Sequence, residues 1–406
     1  MKKRFVDPFT PDLPVDDPER FSGRQEQIED VVDSLYQLAN GNPTHTIVTG
    51  DRGIGKSSVL NQIKNLAEGN SALTDRLGID IGLDRMDFVC AWHDCATDQT
   101  PSNLATGILR QLQTKLSGIL KKLKIELNVP GIISIALKDS GVSSISEIVE
   151  VFCTELTKVA EQAQGNDKTG IILFFDELDR VDASSGIATF YKLAAERLSR
   201  DGVKSVAFFA AGITGAIQNL ESEHASIYRT FKDVPLSRLN KPEVARILTV
   251  GFDAVHCKYE DQVINEIFEI SAGFPEPVHL LGSQILSVDT DDHLTIEDFM
   301  DAKKKTVESI RKNKLASIVK SAGSGKYQKI IEAMAKYPGT NVPLKYISDE
   351  TGYAQNQYST NMGNLLKRNI ISLVDRGVYS FVDPLVKEYI SRFGVISADE
   401  NEGEST

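Results

Sequence analysis

The chain has 406 residues, of which 41% are hydrophobic and 25% are charged, values typical of a globular protein with two or three domains. It contains no apolar run near the roughly 18–20 residues that cross a bilayer, and no apolar segment of a secretory signal follows its basic N-terminus. These features exclude an integral membrane protein, so we expect a cytoplasmic location and no membrane partner. The net charge is −12, yet residues 301–394 carry 16 Lys and Arg against 8 Asp and Glu, so a basic C-terminal module follows an acidic body.

The N-terminal half of the sequence alternates between predicted helices and strands. Residues 1–20 are rich in Pro and Asp and are predicted to be extended. Apolar residues at helical spacing predict an amphipathic helix over 24–39, and another helix is expected from 56 to about 67. Because apolar strands alternate with helices, they indicate a parallel sheet covered on both faces. The predicted strands lie at 46–49, 87–92, 171–175 and 205–211.

The C-terminal half is predicted to be mostly helical. The pattern is helical throughout 241–318, and three helices at 326–337, 343–351 and 354–369 then precede two short strands. Three helices followed by a hairpin is the order of a winged helix. Alternating apolar residues predict an inserted β-hairpin at 123–137, and the polar, acidic tail is expected to be disordered.

A glycine-rich loop between the first strand and its helix carries the clearest chemical signal. The sequence from Gly50 to Ser57, GDRGIGKS, fits G-x-x-x-x-G-K-[S/T] at every fixed position. Its backbone amides and the start of the helix can hold phosphate oxygens, while Lys56 reaches the β- and γ-phosphates and Ser57 ligates Mg²⁺. We therefore predict ATP and Mg²⁺ as cofactors. The residues assigned to phosphate binding are Gly50, Asp51, Arg52, Gly53, Ile54, Gly55, Lys56, Ser57 and Ser58.

Two carboxylates follow the apolar strand at 171–175. Asp176 is expected at the carboxyl end of this strand, the edge of an open parallel sheet where ligands bind, and is assigned to the Mg²⁺ site. Glu177 is placed to polarise the water that attacks the γ-phosphate, a carboxylate that a hydrolase needs. The alternative for Glu177 is a surface acid at a strand end.

These motifs together resemble a known group of ATPases. The loop at 50–57, the run FFDELD and the phrases PFTPDLPVDDPERFSGR and SAGFPEP are similar to those of AAA+ and STAND ATPases. The resemblance extends over residues 5–390 and is greatest to prokaryotic ATPases related to origin-recognition-type initiators and to the archaeal ATPase family. It implies a P-loop parallel-sheet ATPase core with a helical lid and a C-terminal winged helix, an α/β fold.

The resemblance also implies roles for residues outside the loop. Arg24, in Phe21-Ser-Gly-Arg24, would lie beside the adenine, and Thr214 is near the sensor-1 position. Arg229 matches the place of an arginine finger acting on a neighbouring subunit, which implies a homo-oligomer; the alternative is an intramolecular salt bridge. Pro275 belongs to a GxP motif of the lid, which could equally be a break between two lid helices. Glu276 and His279 stand where the initiators usually carry a sensor-2 arginine.

The third helix of the C-terminal module carries polar side chains that suit base edges, so double-stranded DNA is a predicted partner. In the alternative, the protein is a signalling or defence scaffold whose ATP-controlled assembly involves a protein partner encoded nearby and no DNA. The residues expected to face DNA are Gln355, Asn356, Gln357, Thr360, Asn364, Lys367 and Arg376. The predicted domains are an extended segment (1–20), the ATPase core (21–236), the helical lid (237–318), the winged helix (319–394) and the acidic tail (395–406).

Overall fold

A computed structural model describes residues 4–119, 142–182, 184–213, 230–310 and 314–395. The predicted hairpin at 123–137, Thr214, Arg229 and the acidic tail beyond residue 395 lie outside these ranges. The chain divides into two compact units. The core unit comprises Pro14–Asp51 and Gly55–Ser237, and the lid unit comprises Met1–Leu13, Arg52–Ile54 and Arg238–Thr406.

A five-stranded parallel sheet forms the centre of the core unit, in the order β2-β3-β4-β1-β5. The predicted parallel sheet is therefore confirmed. The edge strand β5 was not expected from the sequence, because its polar Lys232 and Asp233 break the apolar run. The strands are β1 (His45–Thr49), β2 (Phe88–Asp94), β3 (Gly170–Asp176), β4 (Val206–Gly212) and β5 (Phe231–Pro235).

Helices cover both faces of this sheet. Every residue of β3 is buried, and its side chains alternate between the faces, with Leu173 and Phe175 in the cluster that also contains α4, α5 and α6. On the other face, Phe174 stacks on Trp92 and contacts Phe209. The helices of the core unit are α1 (Gln25–Ala39), α2 (Lys56–Ala67), α3 (Ala72–Leu77), α4 (Pro101–Ile119), α5 (Val142–Gln164) and α6 (Ile187–Arg200).

His45, at the start of β1, makes the stability of the core unit pH-dependent. Its ring stacks on Phe208, whose backbone N–H donates to Nδ1 at 3.1 Å, and burial lowers the pKa of His45 from 6.5 to about 4. The folded state therefore binds fewer protons than the unfolded state between these values. The stabilisation by the neutral ring is complete above pH 6.5 and is lost as the pH falls toward 4, by on the order of 3 kcal/mol.

We expect His45→Gln to flatten this pH dependence, because an amide can accept the same hydrogen bond but does not titrate in this range. The measurement is the urea-unfolding midpoint at several pH values from 7 to 4.5. His293→Gln, at an exposed position, is the matched control. If the urea-unfolding midpoint changes with pH equally in wild type and in His45→Gln, His45 is not the cause of the pH-dependent stability.

The lid unit contains helices that pack around the N-terminal segment. Phe9 is 1% exposed and fits against Gly251 and Gly282, where an added Cβ would lie 2.3 and 2.7 Å from the Phe9 ring. The predicted all-helical pattern is wrong in one detail, because β6 (Lys258–Tyr259) and β7 (His293–Leu294) form a short parallel pair. The helices are α7 (Lys241–Ala254), α8 (Asp261–Ser271), α9 (Pro275–Val288), α10 (Ile296–Ile310) and α11 (Ala316–Ala322).

The last part of the lid unit combines short helices with a three-stranded antiparallel sheet of order β8-β10-β9. The predicted helix over 354–369 is shorter in the structure, because Tyr358 has a φ of −134° and separates a 3-10 turn, Gln355–Gln357, from α14. The elements are α12 (Lys326–Lys336), β8 (Val342–Pro343), α13 (Leu344–Thr351), α14 (Ser359–Lys367), β9 (Ile371–Asp375), β10 (Val378–Phe381) and α15 (Leu385–Phe393). Across the described ranges, no helix combines the length and the apolar character needed to span a membrane.

Candidate nucleotide-binding site

The glycine loop connects β1 to α2. Gly50, Gly53 and Gly55 all have positive φ values, of 156°, 77° and 97°, which glycine adopts at the least cost. The N-cap residue of α2 is Gly55, which has no side chain, so the first backbone N–H groups of the helix lie at the end of the glycine loop. The Lys56 ammonium donates to the carbonyl oxygens of Gly50 and Asp51, each at 3.0 Å, and so lies inside the curve of the loop. This is an arrangement of donors suited to an anion.

Hydrogen bonds fix both sides of this loop to the core unit. On the β1 side, the Thr49 hydroxyl donates to Asp233 at 2.6 Å and the Thr49 carbonyl accepts from the Leu236 N–H at 2.7 Å. On the α2 side, the Ser58 hydroxyl accepts from the Val15 N–H at 3.0 Å. Ser58 is therefore bound to the N-terminal segment.

Asp176 ends β3 and is only 5% exposed. Its carboxylate is hydrogen-bonded to the Ser57 side chain and accepts from the Glu177 N–H at 2.8 Å. Burial raises the pKa of Asp176, and the two hydrogen bonds oppose that rise. A cation bound beside the Ser57 hydroxyl would neutralise the negative charge of the buried Asp176 carboxylate.

Glu177 follows in a left-handed conformation, with a φ of 55° that costs a non-glycine residue on the order of 1 kcal/mol. Its carboxylate forms an ion pair with Arg180 at 2.7 Å. Burial raises the pKa of Glu177, as do the nearby Asp176 and Asp94, while Arg180 lowers it. A carboxylate with a raised pKa at this edge of the sheet is suited to accept a proton.

Asp94 is a third carboxylate at this edge, and it was not predicted from the sequence. It ends β2 in register with Asp176, and its Oδ1 accepts from the Trp92 indole N–H at 2.8 Å. It contributes to the raised pKa of both Asp176 and Glu177. The signal that could have found it is its position as the polar end of the run FVCAWHD.

The donor set fits a hard divalent cation. A serine hydroxyl and a nearby buried carboxylate are oxygen ligands of the kind Mg²⁺ takes beside phosphate groups. Ser57 and Asp176 are the two residues that would hold it. Lys56 and the loop amides would contact the phosphates themselves.

Two further residues assigned from the resemblance have well-defined surroundings. Arg24 is buried, with a φ of 68°, and its guanidinium donates to the Ser237 carbonyl. Pro275 begins α9 after Gly273, where an added Cβ would lie 2.3 Å from the Leu239 carbonyl oxygen. A break between two lid helices therefore exists at this motif, and the nucleotide contacts of Arg24 and Pro275 stay predictions.

The cysteines near this edge are buried and reduced. Cys90 and Cys95 are each at most 2% exposed, and burial raises the pKa of Cys95 to about 12. The neighbouring His93 ring is bonded to Gln99 at 2.8 Å. Cys90 and Cys95 are therefore core residues.

Comparison with known proteins gives one family and two informative likenesses. The AAA ATPase domain family matches residues 20–206. A Walker-type ATPase of Pyrococcus abyssi is 20% identical, with a TM-score of 0.58 over 93% of this chain and 98% of that chain. The Orc1 protein of Aeropyrum pernix, solved in complex with DNA, is 14% identical, with a TM-score of 0.50 over 94% of each chain. No curated protein sequence matches this chain.

The family match spans the glycine loop, Asp176 and Glu177, and the likenesses in fold extend over nearly the whole chain. At these identities the likenesses concern the fold. Residues 20–206 therefore match the AAA ATPase domain family, and the fold of the chain is similar to the folds of these two solved structures.

Proposed function

We propose that the protein binds ATP with Mg²⁺ and hydrolyses it to ADP and phosphate, and that this reaction switches its conformation or assembly on DNA. The observation that carries the proposal is the contact between Ser57 of the glycine loop and the buried Asp176, with Glu177 directly after it. A P-loop protein that only holds nucleotide does not require the additional carboxylate.

Each residue of the site has a proposed role. Lys56 and the loop amides bind and orient the triphosphate, and Ser57 with Asp176 holds the cation, which would neutralise phosphate charge when bound. Glu177 accepts the proton of the attacking water. Its ion pair with Arg180 opposes that role. The guanidinium stabilises the charged carboxylate of Glu177 and so makes it a weaker proton acceptor.

We further propose that the protein acts as a homo-oligomer in which Arg229 reaches the nucleotide of a neighbouring subunit. The support is the resemblance of the segment HASIYR to arginine-finger segments of AAA+ ATPases. An arginine supplied in this way stabilises the negative charge of the transferring phosphoryl group.

A winged helix at 319–394 is proposed to contact duplex DNA. Three helices with a three-stranded sheet support it, as do the exposed side chains of Gln355, Asn356 and Lys367. Two polar side chains of this module form hydrogen bonds within the protein. Asn364 donates to the Tyr327 hydroxyl at 2.8 Å, and Arg368 donates to the Ala322 carbonyl. The DNA-bound structure of the Orc1 protein concerns a chain of similar fold.

One observation favours the alternative, a scaffold that binds a protein partner. Leu373 and Val374 are 55% and 45% exposed on β9, where a hairpin devoted to phosphate contacts would carry polar side chains. In that case ATP controls protein assembly and DNA is not a ligand.

Fluorescence anisotropy with a labelled duplex, at two salt concentrations and with ATP or ADP, separates the two functions. We expect binding that weakens as salt rises, with a log–log slope that falls by about one unit for each lost phosphate contact in Lys367→Ala and Arg376→Ala. Changing Gln355, Asn356 and Gln357 together to Ala should reduce sequence preference more than affinity. Lys204→Ala, at an exposed position of the core unit, is the control.

The contrary outcome is an absence of salt-sensitive binding by the full-length protein in both nucleotide states. That result would reject DNA as the partner and leave the scaffold function. If Lys367→Ala and Arg376→Ala bind DNA with the same salt dependence as the control Lys204→Ala, the DNA contact lies outside this module.

A further inference from the structure

A glutamate of the lid unit lies directly on the crest of the glycine loop, the residues Arg52–Ile54. The Glu276 N–H donates to the Gly53 carbonyl at 3.3 Å. A Cβ placed on Gly53 would lie 2.3 Å from Glu276 Oε2, so the absence of a side chain there makes room for the carboxylate. All of these residues belong to the same compact unit.

Lys314 neutralises this carboxylate. Its ammonium contacts Glu276 Oε1 and, at 2.9 Å, Oδ2 of Asp383, which lies between β10 and α15. Burial lowers the pKa of Lys314, but the two carboxylates raise it by more than burial lowers it. The pKa of Lys314 therefore lies above the usual value and the side chain stays charged. Lys314, Glu276 and Asp383 line a cavity of about 170 Å³ together with Arg52 of the crest.

The charge beside the crest matters because the loop binds a polyanion. An unpaired carboxylate on Gly53 would repel the triphosphate, and this repulsion is poorly screened when the charge is partly buried. Glu276 and Lys314 are each about one third exposed, at 34% and 32%. A paired carboxylate repels far less than an unpaired one.

We propose that Lys314 is a positioning residue for nucleotide binding: held by Asp383, it neutralises Glu276 on the crest of the P-loop. This inference rests on the proposed binding of ATP at that loop. Nucleotide affinity then depends on whether Asp383 is in place to hold Lys314.

A reciprocal regulation follows. A partner that draws the Asp383 segment away from Lys314 weakens the hold on the ammonium, exposes the charge of Glu276 and lowers nucleotide affinity. By linkage, bound nucleotide resists that displacement by the same factor. The C-terminal module and the P-loop are then coupled through one ammonium group.

The test is a double-mutant cycle on the full-length protein, with the dissociation constant of fluorescently labelled ADP measured in Mg²⁺. We expect Lys314→Ala to weaken binding by about tenfold, a typical size for coupling between sites. Glu276→Gln alone should change it little, and Glu276→Gln in the Lys314→Ala background should restore it to within about threefold of wild type. Asp383→Asn should weaken binding less than Lys314→Ala does.

Lys336→Ala is the matched control, because it breaks a lysine–glutamate pair of the same unit, with Glu350, away from the loop. Lys314→Met keeps most of the side-chain stem, so it replaces Lys314→Ala if that variant does not fold. Equal affinity of wild type and the Lys314 variants overturns the inference, as does a double variant that stays as weak as the single one. Wild-type protein that binds no labelled ADP refutes the proposed nucleotide site itself, which is a separate failure.

Discussion

Replacing Lys56 with Ala should weaken ATP binding strongly. The Lys56 ammonium lies within 3.0 Å of the loop carbonyls of Gly50 and Asp51, the position from which it would reach the phosphates. Truncating one partner of a buried charge pair costs about 2–5 kcal/mol, so the affinity should fall by roughly 30-fold or more. Isothermal titration with Mg²⁺ and a non-hydrolysable ATP analogue measures this change.

Lys64→Ala is the matched control for Lys56→Ala. Lys64 is on the same helix, where it pairs with Glu68 at 3.0 Å on the surface, so its loss should leave affinity unchanged. If Lys56→Ala and Lys64→Ala bind the analogue equally well, the assignment of this loop to phosphate binding is wrong.

Replacing Glu177 with Gln should separate binding from turnover. The amide keeps the shape of the side chain but cannot accept the proton of water, so we expect turnover to fall by roughly 10²-fold or more. Nucleotide binding should persist, because Lys56, Ser57 and Asp176 remain. The measurement is phosphate release at saturating ATP, together with a titration of the analogue.

Glu196→Gln is the control for this change, since Glu196 is 58% exposed on α6 and pairs with Lys192. Its turnover should match that of wild type. Unchanged turnover in Glu177→Gln would show that another group accepts the proton, and Asp94 is an alternative at that sheet edge.

The local parts of the site could be predicted from the sequence. The glycine loop is a contiguous pattern between a strand and a helix, and Asp176 follows an unbroken apolar run, so neither depends on distant residues. Four of the five strands of the sheet were predicted for the same reason. The edge strand β5 was not, because an edge strand is half exposed and its polar residues resemble a loop.

The parts that were missed depend on contacts between distant segments. Asp94 becomes a candidate once β2 is known to pair in register with β3. The third helix begins later than predicted, after the buried Tyr358, whose hydroxyl shares a hydrogen bond of 2.6 Å with Ser348 of the preceding helix. Lys314 is 38 residues from Glu276, a separation at which no periodic pattern of the sequence predicts a contact.

The decisive measurement of ATP hydrolysis is phosphate release from ATP by the full-length protein, with Mg²⁺ and with excess EDTA. We expect steady release with Mg²⁺, little release with EDTA, and little from Lys56→Ala or Glu177→Gln under either condition. Wild-type protein that releases no phosphate above background, or Lys56→Ala protein that releases it at the wild-type rate, would contradict the assignment of this chain as an ATP hydrolase acting through Gly50–Ser57, Asp176 and Glu177.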